Sequence, residues 1–136
     1  MKYLSLLILL FLTNECYAQK TTKNTHIIYE ASTRGSQLII NISSNSIEHI
    51  DNGIVRKVDT PQTYWKELLS IVEEIKLDTM EGFEPPSEKR NFDGALHANL
   101  TITVNDKSYY SQTFDHENPP KELKDLTTKI LSVLKN

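Results

Sequence analysis

The sequence predicts an α+β fold: an antiparallel sheet of about six strands with two helices packed on one face, in the order ββββ-α-ββ-α. Three observations carry this. Period-two runs are joined by short turn signals, two other stretches repeat at helical spacing, and strand runs are separated from helices rather than alternating with them one for one.

From His26 the pattern is extended. Ile27 to Ala31 is β-prone, Arg34-Gly35-Ser36 punctuates it, and Leu38, Ile40 and Ile42 alternate in the next run. Ser43-Ser44-Asn45 leads to Ser46 to Ile50. Asn52-Gly53 then offers the positive φ angles of a tight hairpin turn, with Ile54 to Val58 as the return strand. A four-stranded meander is expected.

At Thr60-Pro61 the period changes. Thr60 is the expected N-cap and Pro61 the first helical residue, because a proline's missing N–H would have no partner there. Trp65, Leu68, Leu69, Val72 and Ile75 share one helical face, and the helix is expected to end near Leu77. Asp78 to Asn91 is irregular, with Met80 and Phe83 as anchors and Pro85-Pro86 excluding regular helix. Ala95 to Val104 is the clearest alternating run in the chain, and Asn105-Asp106 turns it into Ser108 to Phe114. Counting outward from that turn, residue 97 is expected opposite Phe114 and residue 95 opposite His116. Pro119-Pro120 is expected to open a last helix, whose apolar face is Leu123, Leu126, Ile130 and Leu134.

The first residues report an address. Met1-Lys2 is a charged start, Leu4 to Leu12 is apolar apart from Ser5, and Cys16-Tyr17-Ala18 sets a small-x-small pattern before Gln19. This is the layout of a secretory signal, with cleavage expected between Ala18 and Gln19. At about 1.5 Å per helical residue the apolar run is too short for a hydrocarbon core of about 30 Å, so no transmembrane span is expected in the mature chain. The expected organisation is a signal at 1–18, a flexible polar lead-in at 19–25, and a single domain at 26–136. Lipid anchoring at Cys16 is disfavoured, because Glu15 stands where lipoprotein processing requires a small residue. Cys16 is the only cysteine and leaves with the signal, so a disulfide-free, exported domain, periplasmic or extracellular, is expected.

The formal charge of −3 is spread over interspersed lysines and acids, which disfavours nucleic acid as a partner. Four glycines leave little scope for a phosphate cradle, and the common catalytic motifs of hydrolases, zinc proteases and nucleotide enzymes are absent. No cofactor and no metal is expected. Two loops gather chemistry-bearing groups. Arg90, Asp93 and His97 surround one turn, and Asp115 and His116 precede the last helix. The hairpin register brings the loops together, so these five residues form the candidate ligand-binding corner. The plainer reading pairs Arg90 with Asp93, leaves His97 on the wet sheet face, and uses Asp115 or Asn118 as a helix cap. It is preferred, because strand alternation already accounts for a polar residue at position 97.

Arg90-x-x-Asp93-Gly94-Ala95, then Tyr109-Tyr110, then Phe114-Asp115-His116-x-x-Pro119-Pro120 resemble small exported bacterial domains of unknown function. That resemblance implies no activity. The expected function is therefore a non-enzymatic binding or interaction module of the cell envelope, recognising a protein or a small polar ligand. The alternative is a small metal-dependent or hydrolytic enzyme centred on Asp93, His97, Asp115 and His116.

Overall fold

Alternating apolar residues build the sheet, as the sequence predicts. The structure, a computed structural model, describes residues 24–135. The expected signal peptide, its cleavage point at Ala18–Gln19 and most of the lead-in lie outside these residues. The strands are β1 (Thr25–Thr33), β2 (Ser36–Ile42), β3 (Ser46–Asp51), β4 (Ile54–Asp59), β5 (His97–Val104), β6 (Lys107–Tyr110) and β7 (Phe114–Asp115). The helices are α1 (Gln62–Glu73) and α2 (Lys124–Leu131). All pairings are antiparallel in the order β4-β3-β2-β1-β5-β6, and β7 pairs with the start of β5.

Two hairpin turns have positive φ at both central residues, Asn52 with Gly53 and Asn105 with Asp106. That backbone twist matches the twist of the strands it joins. One core fills the space between sheet and helices. Ile27, Tyr29, Ile40, Ile42, Leu100, Ile102 and Phe114 enter from the sheet, and Trp65, Leu68, Leu126 and Ile130 from the helices. Met80, in a 3₁₀ turn over Leu77–Gly82, is fully buried with them.

Several expected boundaries shift. Thr25, expected in the lead-in, already pairs with Val104 in the sheet. Thr60 does not cap α1: its hydroxyl donates to the Ser43 carbonyl at 2.8 Å, and Pro61 takes the cap position, its carbonyl accepting from Trp65 N. α1 ends at Glu73, before the expected Leu77. Pro119-Pro120 does not open the last helix either. Pro120 is extended, and a short 3₁₀ turn, Lys121–Leu123, intervenes before α2. Phe92, in the turn before β5, is 85% exposed.

The most consequential difference is in the second half of the β5–β6 hairpin. From Lys107 to Tyr110 the counted register holds, with Ile102 opposite Tyr109. Beyond it, His97 pairs with Asp115 and Ala98 with Phe114, one residue out of step. The slip occurs at Ser111, whose N–H donates to the Leu100 carbonyl while its Oγ accepts from Leu100 N, both at 2.9 Å. A side-chain oxygen thus replaces a backbone acceptor, and one extra residue enters the strand as a bulge.

Candidate functional site

Side chains alternate along a strand, so an extra residue reverses which face each later side chain takes. With the counted register Phe114 would face outward beside His97, and Asp115 would enter the core. The bulge reverses both. Phe114 sits in the core beside Tyr29, ring centroids 6.1 Å apart, and Asp115 goes to the opposite face. There the 87–90 segment covers it.

Asp115 is only 1% exposed, and its carboxylate is saturated. Oδ2 accepts from the Ser87 hydroxyl at 2.5 Å and from Lys89 N at 2.9 Å. Oδ1 accepts from Arg90 N at 2.9 Å and from the Arg90 guanidinium at 3.1 Å. The same guanidinium nitrogen donates to the Ser87 carbonyl at 2.7 Å. Asn118, whose N–H donates to the Asp115 carbonyl, also sends its side-chain amide to Ser87 Oγ at 2.6 Å. A buried carboxylate is tolerated only with such partners. Burial pushes its carboxyl up, but the Ser87 hydroxyl, the two N–H groups and the guanidinium outweigh it and hold the carboxyl well below the usual carboxylate range.

Asp115 is therefore a cap after all, but for a different element. Lys89 and Arg90 begin a 3₁₀ turn, Lys89–Phe92, whose leading N–H groups have no partner within the turn. The last helix, by contrast, has no side-chain cap. Arg90 pairs with Asp115 rather than with Asp93, correcting the simpler expectation.

His116 points the other way. Its Nδ1 lies 2.8 Å from the Tyr29 hydroxyl, and its backbone N–H donates to the Leu96 carbonyl. Burial lowers the imidazole pKa, against a weaker opposing pull from Glu117. Burial also pushes the Tyr29 phenol up to about 12. A neutral imidazole that accepts from a protonated phenol fits both shifts.

Asp93 and His97 remain accessible. Asp93 ends the 3₁₀ turn at φ +57°, a left-handed conformation that Asp adopts more readily than most residues. With Ser32, Arg34, Arg90 and Asn91 they line an open recess of about 450 Å³. The predicted corner thus divides into a closed lock (Arg90, Asp115), a buried pair (His116, Tyr29) and an open polar recess (Asp93, His97). Among the described residues no three His, Cys, Asp or Glu side chains converge to hold a metal ion.

A second surface went unnoticed in the sequence. At the other end of the sheet, a groove of about 410 Å³ runs between the β3–β4 edge, the start of α1 and the chain after α2. Ile47, His49, Arg56, Val58, Tyr64 and Leu134 are among its lining residues. Every residue of β4 is exposed, including Ile54 at 64%, Val55 at 56% and Val58 at 60%. The available signal was Ile54-Val55-x-x-Val58, apolar on both faces of one strand.

No family model, no curated protein and no solved structure matches this chain.

Proposed function

We propose that the chain is an exported, non-enzymatic binding module of the cell envelope, and that it binds through the β4 side of the sheet. The observation that carries this reading is the saturation of Asp115. The buried carboxylate of the candidate corner gives all its accepting capacity to residues 87–90, which is what a structural lock requires and what a general base cannot do. Apolar surface open to a partner lies elsewhere, along β4 and its groove.

A second reading places a small hydrolytic or metal-dependent enzyme in the polar recess, which Asp93 and His97 both line. It loses two of its four groups, Asp115 to the lock and His116 to Tyr29.

Co-purification of the tagged protein from its native envelope separates the two. The binding reading predicts a retained partner that is lost with Val58→Lys and kept with Asp93→Asn plus His97→Ala. Retention with Val58→Lys and loss with the recess variant would overturn it.

A further inference from the structure

The two edges of the sheet are treated differently. β6 is four residues long and guarded: the Leu77–Gly82 turn packs on it, Asp78 holds Lys107 at 2.7 Å, and Gln112 reaches the Glu81 carbonyl at 2.9 Å. β4 is six residues long, and among the described residues nothing lies along its outer side. Proteins ordinarily blunt such an edge, since its free N–H and C=O groups invite another strand.

We infer that β4 accepts an extended acidic segment of a partner protein as an added antiparallel strand, with the partner's apolar side chains entering the adjoining groove. This deepens the binding-module reading and rests on it. The recognition pattern follows from alternation. Ile54, Arg56 and Val58 share the face of Asp51, His49 and Ile47, their partners in β3, and that face borders the groove. Val55 and Lys57 take the other face, beside Ile50 and Glu48. Neither Arg56 nor Lys57 has an ion-pair partner among the described residues. A segment complementary to β4 from Val58 back to Ile54 therefore reads apolar, acidic, acidic, apolar, apolar.

Charge also argues against a second copy of the chain. A twofold axis normal to the sheet sets one residue of the edge opposite its own copy. Centred on Arg56 or Lys57, in the middle of β4, it opposes like charges. Centred on Val55 it runs the pairing into the Asn52-Gly53 turn, and centred on Val58 into Pro61, which has no N–H.

The test is a titration of the isotopically labelled protein, followed by its amide NMR signals. The probe is a synthetic peptide whose central residues read valine, glutamate, glutamate, valine, isoleucine, with a control that carries lysine for both glutamates. The inference predicts shifts confined to β4 and the groove, and about tenfold weaker binding of the control. Arg56→Glu combined with Lys57→Glu should reverse that preference, a result that loss of folding cannot mimic. Equal binding of both peptides, no shifts at millimolar peptide, shifts centred on the Asp93–His97 recess, or a wild-type dimer that this double variant dissociates would each overturn it. If the peptides fail while Val58→Lys still abolishes partner capture, only the strand chemistry falls. If capture also survives Val58→Lys, the binding reading falls with it.

Discussion

Asp115 holds Arg90 twice through one oxygen: Oδ1 takes the backbone N–H at 2.9 Å and the guanidinium at 3.1 Å. One carboxylate thereby fixes both the path of the 87–90 segment and the rotamer of its arginine, and the Asp115 side chain is too enclosed to meet a ligand.

Asp115→Asn keeps the shape but turns one accepting oxygen into a donor that faces donors. Buried polar groups left unmatched are strongly destabilising. The midpoint of urea unfolding should therefore fall well below that of the wild type. Asp93→Asn, on the exposed rim of the recess, should change stability by no more than about 0.5 kcal/mol, because Asn tolerates the same positive φ.

Acid should act in two stages. His116 titrates below its ordinary value of about 6.5 when folded, so between the two values the unfolded chain binds more protons, and stability falls as pH drops through that window. Asp115 is likewise depressed when folded, so a second loss begins below the ordinary carboxylate value of about 3.9 and deepens toward lower pH. Unfolding measured across pH 7 to 3 should show both stages. His116→Gln should remove the first and leave the second.

At alkaline pH the sign reverses. The Tyr29 phenol, raised to about 12 by burial, must stay protonated in the fold, so stability should decline as pH rises from about 10 toward 12. Burial pushes the Tyr64 phenol up to about 12 as well, so Tyr29→Phe should lessen that decline and leave the part due to Tyr64. At neutral pH it should cost about 0.5–1.5 kcal/mol for the lost bond to His116.

In the core, Leu68→Ala should destabilise by about 2–5 kcal/mol, since Leu68 is fully buried on the inner face of α1. Gly53→Ala should cost about 1–2 kcal/mol for a different reason. Its φ of +85° is strained for any residue with a Cβ, although the space around it is open. Thermal unfolding of both variants checks the two magnitudes.

The meander, the clustering of strands apart from helices and the Asn52-Gly53 hairpin were legible because each is a local pattern of a few residues. The bulge at Ser111 was not, because it depends on a serine hydroxyl replacing a backbone acceptor across the hairpin. A trace of it was present: Tyr110 and Phe114 have the same parity, so an uninterrupted strand would set both on the exposed face, and a phenylalanine there is out of place. The candidate corner was located from register counting, but that register set Asp115 one face wrong. Its true partners, Ser87 and the N–H groups of Lys89 and Arg90, lie in a segment without periodicity. The β4 groove was hidden for another reason. How far along the sheet the helices reach, and so which edge strand they leave bare, depends on where they pack, and strand composition does not encode that.

Stability and partner capture measured together on Asp115→Asn and Val58→Lys test the division between lock and binding surface most directly. Asp115→Asn should unfold at lower urea yet retain the envelope partner while folded. Val58→Lys should unfold with the wild type and release it. The reverse assignment, capture lost with a folded Asp115→Asn and kept with Val58→Lys, would contradict the account.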